Sequence, residues 1–435
     1  MLEGIMRTSR RTFFAVTAAA LAAGFSYGAS AQQTEIKVGY MKHPIQDASL
    51  DMMEKWAKAH NVKLTRVPMA YSVFMEKVTA TLTSETDQFD IIWHNDDWGQ
   101  LWKKWVEPTD DIPGMENTDP WVLEAFLNDD KKPTAVPMAH TVGTFFYRTD
   151  LLKPEEVPTT FDELVEVSKR LQKEGKVKWG YVGAMAMNNT WFTFWWATWS
   201  NKCDLLKPFF ERDYEKLKAN NFEPGIADPC SQEVMEFWWD AMNKHKISPP
   251  GMTAYTRNES NAIFMAGDAA FTLIDSTHYG EFNDPKRSKI AGKVGMAPFP
   301  VGPRGERPTS WNEVWAWAIP KGVPAERKKI AKQMLAAMLA DEAGQIEMWK
   351  KTGGPPPNTK LWPKLRAEDK DFDMLSKAVF DHKPLAHSAY YFPEWPALHK
   401  AYSDVAIGAL QGKREDIPQA LKDGVEKLRR AAAGN

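Results

Sequence analysis

Cysteine is nearly absent from this chain: two occur in 435 residues, Cys203 and Cys230, and no Cys-x-x-Cys pair is present. That removes the signatures of a thiol redox centre and of a cysteine-rich zinc site. The nine histidines contain no His-Glu-x-x-His pair, so a zinc hydrolase has no visible ligand set. A Gly-x-x-x-x-Gly-Lys-Ser/Thr loop, a Gly-x-Gly-x-x-Gly turn and a Gly-x-Ser-x-Gly elbow are also missing. Mononucleotide, dinucleotide and serine-hydrolase chemistries lose their usual markers with them. Charge is nearly balanced, 55 basic against 57 acidic residues, which points to neither nucleic acid nor an anionic membrane as partner. Beyond the first thirty residues no apolar run reaches the roughly 18 residues that a membrane helix needs.

What is present begins with a leader. Arg10-Arg11 stands directly before Thr12-Phe13-Phe14 and an apolar run that ends at Phe25. Ala29-Ser30-Ala31 supplies small residues for a signal peptidase, so residues 1–31 read as a signal peptide cleaved before Gln32. The paired arginines resemble the twin-arginine export signal. The expected compartment is the periplasm of a Gram-negative bacterium. There, Cys203 and Cys230 are expected to form a disulfide. The remaining chain of roughly 400 residues exceeds a single core, and two domains are expected. Tryptophan is abundant, with 19 residues. Most belong in the core, while those in polar loop contexts are candidates for ligand contact.

The first third alternates strand and helix patterns. Residues 35–40, 62–67 and 89–93 read as strands, and 47–59, 74–82 and 98–105 as helices. This order predicts an α/β layer with a mainly parallel sheet, whose ligands bind at the carboxyl ends of the strands. Further strands are expected at 143–148, 179–183, 269–274, 294–298 and 315–320. A helix should open at Thr160, where Thr160-Phe161-Asp162-Glu163 has capping-box spacing. The segment after Pro324 should be helical up to Gly353-Gly354, and the rest mostly helical.

Polar residues beside aromatics recur just past predicted strand ends. They are His43; His94, Asp96, Asp97 and Trp98; His140 and Thr141; Asn189 and Trp191; Asp275, His278 and Tyr279; and Trp311 with Asn312. Aromatic faces pack on the C–H faces of a sugar ring, and carboxylates, amides and imidazoles take its hydroxyls. Asp96 and Asp97 are adjacent, and neighbours in an extended segment point to opposite sides. One of them reads as a helix cap for the segment at Trp98 and the other as a ligand contact. They therefore do not form the facing pair that a glycoside hydrolase needs. No catalytic residue, metal site or cofactor is expected.

Five segments in order resemble the extracellular solute-binding proteins of carbohydrate ABC importers, the group that includes maltose-binding protein. They are Asp90–Trp98; Val136-Pro137 through Phe145-Phe146-Tyr147-Arg148-Thr149-Asp150-Leu151; Pro158–Leu164; Ala262–Phe271 with Val294–Pro300; and Ala409–Lys413 through Ala420-Leu421. The resemblance implies a two-lobed periplasmic binding protein fold of the class II type, with the ligand cleft between lobes and a hinge of crossing segments near 138–143, 294–300 and 352. It implies lobes of residues 32–140 with 297–352 and of 141–296 with 353–435. It further implies capture of a carbohydrate or sugar-like polyol, delivery to permease subunits in the membrane, and a monomer without enzymatic activity. The Asp275–Tyr279 turn and His94 stand where that family often has tryptophan, so maltodextrin specificity is not implied. Alternatives are a polyamine or an anionic glycoside on the same fold, or a secreted glycosidase.

Overall fold

The structure is a computed structural model that describes residues 33–434 except 187–188, 208–222, 307–309, 311 and 378–393. The leader therefore lies outside the described residues. Among the described residues ten strands are present: β1 (Thr34–Met41), β2 (Val62–Met69), β3 (Ile91–Asn95), β4 (Val136–Arg148), β5 (Trp179–Val182), β6 (Leu206–Lys207), β7 (Glu223–Pro224), β8 (Ala269–Asp275), β9 (Val294–Ala297) and β10 (Asn312–Ala318). Eight of them run in one path or beside it, ordered β2-β1-β3-β10-β4-β8-β5 with β9 also on β4. The short pair β6–β7 stands apart. Parallel pairs (β1 with β2 and β3, β5 with β8) mix with antiparallel ones (β10 with β3 and β4, β4 with β8 and β9).

β4 is the element that makes two lobes from this path. Its first half, Val136 to Val142, pairs with β10, and its second half, Gly143 to Arg148, pairs with β8 and β9. All thirteen of its residues are buried, as expected of a strand covered on both faces. Two apolar cores follow. The first gathers Ile36, Val38, Phe74, Trp93, Trp317 and Met334. The second gathers Phe145, Trp195, Trp238, Phe271, Phe299 and Tyr402. The chain stays with the second lobe beyond the expected crossing at 294–300. Phe299 packs edge-on to Phe145 and Phe161, and the Val301 amide donates to the Thr159 carbonyl at 2.9 Å.

Local chemistry sets the elements around the cleft. The helix Pro44–Ala59 starts earlier than its pattern suggests, because His43 caps it: Nδ1 accepts from the Ile45 amide at 3.4 Å, and Pro44 suits the first turn. Phe161–Lys173 opens on the expected capping box, with Thr160 and Glu163 exchanging bonds at 3.2 Å. Glu342–Thr352 ends at Gly353, whose φ of +78° is left-handed and where a Cβ would meet the Ser276 carbonyl oxygen at 2.2 Å. This brings the end of the helix against the turn that follows β8. Cys203 and Cys230 are disulfide-bonded with Cα atoms 5.5 Å apart, tying the first turn of Pro229–Asn243 to the segment after Trp195–Ser200. Among the described residues no helix is long and apolar enough to cross a membrane.

Candidate functional site

A cleft of about 370 Å³ opens where the two cores face each other. From the first lobe come Met41, Lys42, His43, Trp93, Asn95, Asp97, Glu313 and Trp315. From the second come Asn189, Phe192, Thr256, Arg257, Asn258, Asp275, His278 and His399. Two matching turns frame it. β3 runs into a short helical turn at Asp96–Trp98, and β8 runs into another at Ser276–His278. Both turns sit at carboxyl strand ends, where binding clefts of such sheets form.

On the second lobe, Asp275 caps its own turn. Its Oδ1 accepts from the Thr277 amide at 3.2 Å and from the Thr277 hydroxyl. Burial pushes this carboxyl up, but the nearby His278 and Arg257 outweigh burial and hold it below the usual range. His278 places Nδ1 2.8 Å from Glu281 Oε2. Asn261 Nδ2 lies 3.1 Å from the same Nδ1, and the ring's other nitrogen is Nε2. That Nε2 is buried with no hydrogen-bond partner, and Asp275 Oδ2 lies 3.7 Å away. Arg257 opens the helix Arg257–Met265. It sits over the Phe192 ring at 5.3 Å and turns Nε toward Asn189 Oδ1 at 3.5 Å.

On the first lobe, His43 packs edge-on to Trp315 at 4.8 Å and to His278 at 5.7 Å. Burial, then the neighbouring His278, lowers its pKa to about 3, so it is neutral. Trp93 and Trp315 form the aromatic wall, with centroids 5.3 Å apart. Glu313 Oε2 accepts from the Thr141 hydroxyl at 3.1 Å and from the Trp315 indole at 3.4 Å. Asn95 Oδ1 is buried and has no hydrogen-bond partner. Asp97 Oδ1 accepts from the Trp395 indole at 3.0 Å.

Of the residues singled out from sequence, His43, Asp97, Asn189, Asp275 and His278 line the cleft. Of the others, those whose side chains are described do not, each for a visible reason. His94 is enclosed by Trp102 and Phe126, at 5.2 and 5.0 Å, and burial lowers its pKa to about 3. Asp96 ties its turn to β10: Oδ2 accepts from the Val314 amide at 3.0 Å. Trp98 stacks on Phe74 and abuts Trp93 and Trp102 in the first core. His140 and Asn312 hold β4 to β10, with Nδ1 and Oδ1 3.1 Å apart. Burial lowers the His140 pKa to about 4. Thr141 supports Glu313 from behind. Tyr279 packs against the second core. Trp311 and the side chain of Trp191 lie outside the described residues.

Sequence reading passed over Asn95, Arg257, Glu313, Trp315 and His399. Glu313 and Trp315 share one face of β10 by the period of two, a pattern readable once the strand is known to begin at Asn312 rather than at Trp315. Among the described residues, no group of three or more histidine, cysteine or acidic side chains is placed to hold a metal ion. A larger, shallower groove of about 660 Å³ lies among Trp56, His60, Gly114 and Leu339. It contains none of the unpartnered buried polar atoms found among the described residues, and the chemistry is in the smaller cleft.

Residues 51–371 match the family model for bacterial extracellular solute-binding proteins. The chain belongs to this family. It is a family of transport solute-binding proteins, not of enzymes. This solute-binding protein is 26% identical over 305 residues to the mannitol-binding protein of Pseudomonas aeruginosa, an alignment covering 65% of this chain and 63% of that protein. The chain thus spans less than two thirds of that relative's length. Among solved structures, maltose-bound T. maritima MalE3 superposes with a TM-score of 0.76 at 22% identity, covering 91% of this chain and all of that one. A D-mannitol complex of an ABC transporter solute-binding protein from Agrobacterium vitis gives 0.69 at 21%, covering 92% and 99%. At these identities the structural likeness carries the two-lobed fold.

Proposed function

We propose that this solute-binding protein captures a single polyhydroxylated solute, a sugar or sugar-like polyol, in the cleft between its lobes. The observation that carries the reading is the pair of buried polar atoms without partners, Asn95 Oδ1 and His278 Nε2, one from each lobe. A buried polar atom left unpaired costs roughly 1–3 kcal/mol, and a ligand hydroxyl removes that cost. The rest of the lining agrees. Asp97, Asp275 and Glu313 add acceptors, Arg257 and Lys42 supply donors, and Trp93, Trp315 and Phe192 offer apolar faces. Hydroxyls both donate and accept, so a polyol suits such a mixture. About 370 Å³ suits one small ligand rather than a long oligosaccharide.

A ligand touching both lobes stabilises the closed form by its differential affinity for that form. The dihedral change falls on a few segment-end residues, and we place the main hinge at Val142-Gly143, where β4 changes partners. We divide the lobes along the expected segments, except that the stretch after 297 up to β10 moves with the second lobe. The closed protein, exported by its leader to a periplasm and acting as a monomer, would then hand its ligand to ABC permease subunits. Calorimetric titration of the mature chain tests this reading against hexitols, pentitols, aldoses, maltodextrins and diamines. One-to-one saturation by a hexitol, a pentitol or a monosaccharide supports it. Saturation by a diamine alone removes it.

A further inference from the structure

One hydrogen bond joins the lobes at the cleft itself. Trp395 begins the helix Trp395–Gln411 and is fully buried in the second core. It lies edge-on to Trp195 at 5.5 Å and parallel to His399 at 5.4 Å and 9°. Its indole N–H nevertheless points out of that core, to Asp97 Oδ1 at 3.0 Å. Asp97 sits on the turn after β3, which belongs to the first lobe. Asp97 and His399 both line the cleft.

We propose that Trp395 is a positioning residue that aims the Asp97 carboxylate at the ligand and couples its capture to lobe closure; this rests on the cleft being the ligand site. The physical reason has two parts. A charge-assisted N–H···O bond fixes one carboxylate oxygen and so restricts the rotation of Asp97. The same bond forms only when the lobes are together, so it favours the closed form before any ligand arrives. Apparent affinity scales with the population of the competent form, and each closed molecule gained in advance tightens binding. The stack of Trp195, Trp395 and His399 anchors the donor, so the bond transmits position from the second core to the first lobe.

Trp395→Phe keeps most of the ring and removes the N–H. The test is a double-mutant cycle of Trp395→Phe and Asp97→Ala, read by calorimetric affinity for an alditol or monosaccharide that saturates the wild type. Trp395→Phe is expected to weaken binding about tenfold, the size of one lost bond to a charged group, with a melting temperature near that of the wild type. The double variant is expected to bind no more weakly than Asp97→Ala alone, because both changes remove one interaction. Additive losses, or wild-type affinity in Trp395→Phe, would overturn the proposal. If no alditol or monosaccharide binds the wild type, the reading of the cleft fails first. Small-angle X-ray scattering of the ligand-free proteins then decides the latch by itself. A larger radius of gyration in Trp395→Phe is expected, and an unchanged one would overturn it.

Discussion

At the scale of single residues, cleft and support are separated by which neighbour meets which wall. Asp96 and Asp97 are adjacent, yet Asp96 is spent on the Val314 amide while Asp97 lines the cleft. The expected cap and extended alternation are not what divides them: both lie on a short helical turn with no side-chain cap bond, and Asp96 braces β10 instead. Asn95 was hidden because it ends a strand rather than starting a loop, and nothing in a sequence marks a side-chain oxygen that will find no partner. Arg257 was hidden because its neighbour Phe192 and its acceptor Asn189 arrive from a segment more than sixty positions away. These differences predict opposite phenotypes. Asn95→Ala removes an atom with no partner, so its denaturant midpoint should stay near that of the wild type while ligand affinity falls about tenfold. Asn312→Ala removes the bond to His140 and should cost stability of about 1–3 kcal/mol. Urea unfolding and calorimetry on the two variants check this, and loss of stability without loss of affinity in Asn95→Ala would contradict it.

At the scale of elements, the alternating strands β1 and β2, the wholly apolar strand β8 and the capping-box helix were legible because sheet burial and a cap leave marks in local pattern. Boundaries near the cleft were not. The pattern ends β3 at Trp93, but the strand continues through His94-Asn95. The helix expected at 98–105 shrinks to Gly99–Trp102, since its aromatics pack into the core from a turn. Several of these ends carry histidine, and burial there has a consequence for acid stability. His43 and His94 are lowered to about 3 and His140 to about 4, in each case chiefly by burial. Their unfolded forms take up protons below about pH 6.5, while the folded forms stay neutral down to about pH 3–4. Proton uptake therefore favours unfolding, and stability falls as pH drops from 6.5 toward 4, by ~1.4 kcal/mol per unit for each histidine. Together they predict a loss of roughly 3 kcal/mol between pH 6.5 and 5.5, since the unfolded rings are already half protonated at pH 6.5. Urea titrations at those two values measure it, and a flat midpoint would contradict the burial of these rings as neutral groups.

At the scale of the whole molecule, the class of fold was legible early. The strand–helix alternation, the proline-led crossover at Val136–Arg148 and the helical carboxyl end together allow few architectures. The cleft was less so, because its walls are assembled from seven separated segments, and the mixed direction of the central path depends on β10 returning between β3 and β4. That return also places Glu313 and Trp315 opposite Asp275 and His278, which local pattern does not foretell. The account stands or falls on what fills this space. The decisive measurement is a crystal structure of the mature protein with the polyol that titration shows to bind most tightly. Ligand hydroxyls about 3 Å from both Asn95 Oδ1 and His278 Nε2, with the lobes closed on them, are the predicted result. A ligand seated elsewhere, or one leaving both atoms unpaired, would contradict it.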